Sequence, residues 1–347
     1  MYLMKRKLLV LFLALTLVIG LVGCGTDAPE STPAPEPTPN NGQAGADEPL
    51  KISVIIKATD SDYWQTLLLG AKAAETELNG KVVVTTDGPP SEINIEEQVS
   101  ILENVIATDP DGIVIASTST DATVPAVEDA MGKGIPVITV DNKLNTDNYT
   151  SFLATNHSLA AGMAAEAMAK DWEAKGIDAA GKKVMVISSV AGTKVNTDRT
   201  EGFINKITEL VPGIQVLETQ YADNDISKAL SIAENTMAAN PDLIGIFGDN
   251  NHMGVGISKA IEEAGKQDEI VAYAFDADPD EIEAIKNGVL RGIVVQDPFG
   301  MGYQGVMSAI DAIEGKTVEK DVIVDATIVT LDNMEEEPIQ KLLYPGK

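Results

Sequence analysis

Two adjacent aromatics and a lysine stand in Lys57-Ala58-Thr59-Asp60-Ser61-Asp62-Tyr63-Trp64, between a Val/Ile-rich run at residues 52–56 and an alanine- and leucine-rich stretch at 65–78. Further along, polar side chains recur where apolar runs stop: Asp141 and Asn142, Asn196 to Arg199, Asp249 to Asn251, Asp276, and Gln296 with Asp297. Taken singly, each fits a turn or a helix N-cap, positions that Asp and Asn favour. Taken together they supply carboxylates, amides and one guanidinium. That is the equipment for gripping several hydroxyls, with Tyr63 and Trp64 adding flat apolar faces. Hydrogen bonds to charged groups contribute about 1.5–3 kcal/mol each, so a handful suffices for micromolar affinity.

Other chemistry finds no support. His157 and His252 are far apart, with no cysteine or carboxylate spaced as metal ligands. There is no Gly-x-Ser-x-Gly elbow. Gly315-Lys316-Thr317 copies the end of a phosphate-binding loop, but the required earlier glycine falls at Ile310. Asp276-Ala277-Asp278-Pro279-Asp280 starts like a calcium loop, yet Glu281 stands where that loop needs glycine and Asn287 where it needs glutamate. A binding protein without catalysis, cofactor or metal is expected.

The elements that must position these residues are legible as alternating runs. Strands are expected at 52–56, 81–86, 112–116, 136–140 and 151–154. A second set is expected at 183–187, 215–218, 243–247, 270–275, 292–296 and 322–329. Most are short Val/Ile/Leu runs bounded by Gly, Pro or Asp, as in parallel strands buried on both faces. Amphipathic helices are expected between them, for example at 95–108, 159–175, 226–239 and 253–264. Such alternation implies right-handed βαβ units in an α/β fold. The series divides into two halves of about five strands, which makes two similar lobes the expected architecture. In such sheets ligands bind outside the carboxyl ends of the strands, where the polar residues above recur.

The amino-terminal segment reads differently. Lys5, Arg6 and Lys7 precede an apolar run from Leu8 to Val22, broken only by Thr16 and Gly20, which marks an export signal rather than a spanning helix. Leu21-Val22-Gly23-Cys24 resembles the bacterial lipobox, and Cys24 is the only cysteine of the 347 residues. A signal peptide at 1–23 and a lipidated Cys24 are therefore expected, since two or more acyl chains anchor durably where one does not. Residues 24–49 are dense in Pro, Ala, Thr and Gly and lack apolar periodicity, the composition of a disordered tether. The formal charge of −28 argues against nucleic acid and anionic lipid as partners.

From about residue 51 onward the chain resembles the ribose-binding-protein branch of the periplasmic sugar-binding proteins of ABC transporters. The resemblance is carried by Ile135-Pro136-Val137-Ile138-Thr139-Val140-Asp141, Ala191-Gly192-Thr193, Arg199-Thr200-Glu201-Gly202-Phe203 and Phe275-Asp276-Ala277-Asp278-Pro279-Asp280. It implies two Rossmann-like lobes joined by a three-strand hinge, the type I periplasmic binding protein fold. The implied lobes are 50–154 with 297–324 and 155–296 with 325–347, with crossings near 154–156, 296–298 and 324–326. It also implies a ligand held in the cleft by lobe closure.

Carried over by position, Asp141, Arg199, Asn250, Asp276 and Gln296 match the family's hydroxyl-binding residues, and Tyr63 and Trp64 its paired aromatics. Lys57 and Ser61 replace a serine and an asparagine, Asn142 replaces an arginine behind the site, and Asn224 stands where an opposing aromatic is expected. Lys57, with Asp87-Gly88-Pro89, is instead similar to the autoinducer-2 receptor branch. The implied partners are a sugar or polyol and the permease subunits of an importer, or a chemoreceptor or sensor kinase in a sensing role. The expected protein is a monomer at the outer face of the plasma membrane or in the periplasm.

Overall fold

The computed structural model describes residues 48–345. The signal peptide, Cys24 and all but the last two residues of the tether lie outside the described residues. In chain order the strands are β1 (Leu50–Ile55), β2 (Val82–Asp87), β3 (Gly112–Ala116), β4 (Val137–Val140), β5 (Ser151–Thr155), β6 (Lys183–Ser188), β7 (Gln215–Val216), β8 (Gln220–Tyr221), β9 (Leu243–Gly248), β10 (Val271–Phe275), β11 (Gly292–Val295), β12 (Asp321–Val324) and β13 (Thr327–Thr330). The helices are α1 (Asp62–Glu77), α2 (Ile95–Ala107), α3 (Val124–Gly132), α4 (His157–Ala174), α5 (Lys194–Leu210), α6 (Ile226–Ala239), α7 (Asn251–Ala264), α8 (Pro279–Lys286), α9 (Pro298–Ile313) and α10 (Glu337–Leu343).

The strands form two sheets, ordered β12-β5-β4-β3-β1-β2 and β13-β11-β10-β9-β6-β7, with β8 also paired to β6. The first is wholly parallel. In the second only β13 runs antiparallel, against β11. Both sheets repeat one doubly wound order, and each is covered on both faces. On the first sheet α1 and α9 pack against one face and α2 and α3 against the other. On the second, α4 and α5 cover one face, and α6, α7, α8 and α10 the other. Burial on two faces explains why β3, β4, β9, β10 and β11 read as unbroken apolar runs with no buried-exposed alternation.

The chain passes between the sheets three times. After β5 it enters α4, which packs on the second sheet. After β11 it enters α9, which packs on the first. Between β12 and β13 only Asp325 and Ala326 intervene. Among the described residues no helix is long and apolar enough to cross a membrane.

Three local expectations are corrected. The run at 322–329 is two strands rather than one, because β12 pairs with β5 and β13 with β11. Alternation within a run carries no information about which sheet it joins. Helix α1 begins at Asp62, not at residue 65: Ser61 is extended at the N-cap, and its carbonyl accepts from the N–H groups of Trp64 (3.1 Å) and Gln65 (3.2 Å). Tyr63 and Trp64 thus occupy the first helical turn. The two-residue strand β8 was not expected, and β7 is shorter than the run at 215–218.

Candidate functional site

In each sheet the winding reverses beside its first strand, between β1 and β3 and between β6 and β9. A crevice opens at such a reversal, beyond the carboxyl ends of the strands. Here the two crevices share one small polar cavity. Lys57, Ser61, Tyr63, Trp64 and Asp141 line it from the first lobe, and Arg199, Asn250 and Asp276 from the second.

Asp141 and Asp276 are structural counterparts. Each follows the fourth strand of its sheet with a positive φ, 67° and 78°. Each donates its backbone N–H over 2.8 Å to the next strand, to the Leu153 and Val294 carbonyls. The left-handed backbone is unfavourable for most L-residues but tolerated by aspartate. It turns both carboxylates off the strand ends into the cleft.

Their surroundings differ. Lys57, only 3 % exposed, places Nζ 2.6 Å from Asp141 Oδ2 and 5.3 Å from the centre of the Trp64 ring. From the second lobe, His157 Nε2 lies 3.3 Å from Asp141 Oδ1, and Arg199 Nη2 lies 4.0 Å from it. Arg199 Nε donates to His157 Nδ1 over 3.3 Å. A guanidinium cannot accept, so Nδ1 is the unprotonated nitrogen and Nε2 carries the proton toward Asp141. Burial works against an ionised Asp141, but Lys57, His157 and Arg199 outweigh it and hold the carboxyl far below the usual range. Burial and the Arg199 guanidinium lower the His157 pKa, which favours the neutral ring.

Asp276 touches no cation. Gln296 Nε2 donates to its Oδ1 over 2.7 Å, and burial pushes its pKa up to about 6 against the pull of Arg199. Behind the cleft, burial likewise raises Asp249 to about 6, although the Ser188 hydroxyl and the Ser189 N–H (2.8 Å) both donate to it. Arg199 is fixed by three contacts besides Asp141. Nη1 donates to the Asp249 carbonyl over 2.7 Å, Nε reaches His157, and Cζ sits 4.1 Å above the Phe275 ring centre.

The aromatics meet edge to face, with centres 4.7 Å apart and planes at 84°. Their polar ends are satisfied away from the ring faces. Tyr63 donates its hydroxyl to the Met301 sulfur (3.9 Å) and Trp64 its Nε1–H to Glu92 Oε1 (2.8 Å). Asn250 is both cap and wall: Oδ1 accepts from the Met253 N–H at the start of α7 (3.1 Å), while Nδ2 donates to Asn224 Oδ1 (2.7 Å). Across the lobes Asn251 Nδ2 reaches Ser61 Oγ at 3.4 Å.

Two of the residues expected to bind ligand lie off this cavity. Asn142 is fully buried, with both side-chain polar atoms unpartnered among the described residues. Gln296 faces an adjoining compartment. Asn224, where an aromatic wall was expected, instead supports Asn250. Sequence reasoning missed Glu92, Ser189 and Val195 in the wall and His157 behind it. Asn196 and Asn251, also in the wall, were read only as members of the strand-end polar clusters and not singled out as ligand-binding. Glu92 lies in the loop after β2, where only its glutamate type hinted at a role. Among the described residues no group of His, Cys, Asp and Glu could hold a metal ion.

Two doubly wound lobes, three crossings and a polar cavity between the strand ends define a type I periplasmic binding protein. The sequence profile of the periplasmic binding protein domain matches residues 52–317, and the chain belongs to that family. The ribose import binding protein of Haemophilus influenzae is 30% identical over 279 residues, covering 80% of this chain and 91% of the relative. Among solved structures, a carbohydrate transporter solute-binding protein of Agrobacterium radiobacter in complex with D-arabinose superposes with a TM-score of 0.82. It is 33% identical and covers 86% of this chain and all of that one. An ABC transporter solute-binding protein of Agrobacterium vitis with bound D-fucose gives 0.80 at 34% identity, covering 85% of this chain and all of the other.

Proposed function

We propose that this protein is an extracytoplasmic solute-binding lipoprotein. It captures a monosaccharide or similar small polyhydroxylated ligand between its lobes and delivers it to an ABC importer, tethered through Cys24. The observation that carries this reading is the convergence of Asp141, Asp276, Arg199 and Asn250 with Tyr63 and Trp64 on one cavity between two lobes. In this reading Tyr63 and Trp64 pack on the apolar face of the ring. Asp141 and Asp276 accept from hydroxyls, Arg199 donates to ring or hydroxyl oxygens, and Asn250 does either. Lys57 keeps one N–H on Asp141 and offers another to the ligand, since an ammonium has three donors. Ser61 adds a hydroxyl at the contact between lobes. The lobes are residues 50–154 with 297–324 and 155–296 with 325–347. Contacts from both sides favour the closed form by differential affinity. The names of the relatives, a ribose importer component and receptors holding arabinose and fucose, support the ligand class.

Titration calorimetry against a panel of pentoses, hexoses and polyols tests the proposal. At least one is expected to bind with micromolar or tighter affinity, and Asp276→Ala and Arg199→Ala are each expected to weaken it at least tenfold. Failure of the whole panel, or indifference of a found affinity to both substitutions, would refute it.

A further inference from the structure

A second, small compartment adjoins the first, shares its wall of Tyr63, Asn251 and Asp276, and runs past Gln296 toward α10. Its charge is one-sided. Asp62, Asp276 and Asp278 line it, and no lysine, arginine or histidine among the described residues does. At the other end of the cleft Asp141 is flanked by Lys57, His157 and Arg199, so the site is polarised along its length.

Two further features point to a bound group. Asp62 opens α1 in the first lobe and Asp278 is the N-cap of α8 in the second, so carboxylates from both lobes line one compartment. Burial first, then repulsion from Asp62 and Asp280, raises the Asp278 pKa despite its hydrogen bond to the Asp280 N–H. Independently, Gln296 is 1 % exposed and lines the compartment. Its amide N–H is committed to Asp276, while its Oε1 has no partner among the described residues. A buried carbonyl oxygen left without a donor is costly, and a donor arriving with positive charge would also relieve the repulsion between the two lobes. Among the described residues no group of His, Cys, Asp and Glu could hold a metal ion, which leaves an organic cation as the group to test.

We propose that the ligand carries a protonated amine, seated between Asp62 and Asp278 with Gln296 Oε1 as a further acceptor, while its hydroxylated ring occupies the first compartment. The ligand class is then an amino sugar or aminopolyol rather than a neutral or acidic sugar. The proposal rests on the reading of the first compartment as a hydroxyl-binding site. Acidic substituents are excluded from the second compartment by its three carboxylates.

The test is calorimetry at pH 7 on the full chain, with monosaccharides, their singly aminated analogues with the amine at each position in turn, and the N-acetylated counterparts. At least one amine should bind tenfold or more tightly than its parent sugar, and acetylation should remove the gain. The Asp62→Asn and Asp278→Asn double variant should erase the preference and leave the parent's affinity within twofold; asparagine retains the N-cap of α8. Asp62→Asn alone, on an exposed position, should remove part of it, about threefold. If sugars bind but no amine exceeds its parent, or if the preference survives the double variant, the amine assignment is overturned and the hydroxyl site stands. If no sugar or polyol binds, aminated or not, both readings fall together.

Discussion

At the scale of single residues, the same side chain, aspartate at a strand end with positive φ, is set to opposite states in the two lobes. Asp141 is held ionised by three cationic or proton-bearing partners, whereas Asp276 has an amide. The difference has a measurable consequence. The Asp276 pKa is about 6 in the fold, against about 3.9 in an unfolded chain. Between pH 4 and 6 the folded state therefore holds a proton that the unfolded state has released, and stability falls as pH rises through this window. The contribution is fully present below pH about 4 and lost above about 6, with a slope of at most about 1.4 kcal/mol per pH unit. His157, with its lowered pKa, contributes in the opposite direction up to about pH 6.5, so the total slope is not the test. The test is the comparison of urea unfolding for wild type and Asp276→Asn at pH 4.5, 5.5 and 6.5. The wild type is expected to lose stability relative to the variant as pH rises; no relative change would show that Asp276 titrates normally, and a gain that its pKa is lowered in the fold. Lys57 illustrates the limit of reading single residues. Its type suggested either a solvent-facing strand-end lysine or a ligand donor, and nothing in the sequence tied it to Asp141, 84 positions away.

At the scale of elements, the aromatic pair is placed by a helix crossing that two glycines make possible. A Cβ on Gly302 of α9 would lie 2.0 Å from the Leu67 carbonyl oxygen of α1, and one on Gly70 would lie 1.9 Å from that of Phe299. The two backbones touch, which brings the Tyr63 hydroxyl to Met301. Gly302→Val is expected to force α1 away from α9 and lower the unfolding free energy by about 3 kcal/mol, the upper end for an overpacked core. Gly132→Ala, where a Cβ meets open space, should be close to neutral, and equal effects in denaturant titrations would contradict this packing. The strands and most helices were legible in the sequence because burial on both faces of a parallel sheet writes an apolar run into each strand. The start of α1 was not legible, because its N-cap Ser61 makes no side-chain cap bond and the aromatics that follow read equally as loop. The split of residues 322–329 was hidden for another reason: sheet membership depends on partners far away in sequence. The site was legible where strand-end position and residue type coincide, as at Asp141 and Asp276, whereas Arg199 lies within α5 and was read from its type and motif. It was not legible at His157, whose role comes only from the two lobes meeting.

At the scale of the whole molecule, that meeting carries the last prediction. His157 does not line the cavity, yet it links the lobes, lying against Asp141 of the first and accepting from Arg199 of its own. Its Nε2 reaches the Asp141 carbonyl oxygen at 3.2 Å, and a bond between neutral groups contributes about 0.5–1.5 kcal/mol, so its loss shifts the equilibrium between closed and open lobes by about two- to tenfold. The apparent dissociation constant equals the intrinsic one divided by the fraction of competent, closed protein. His157→Leu should therefore raise the apparent dissociation constant for whichever sugar binds by about two- to fivefold, as expected where the free protein is partly closed, without touching the ligand. Small-angle scattering separates this effect from damage to the site. The free variant should be more expanded than the free wild type, whereas the two saturated forms should coincide. If affinity drops while the free forms scatter identically, His157 acts by orienting Arg199 and Asp141 within the cavity. The closure would then be held by the contacts of the ligand alone.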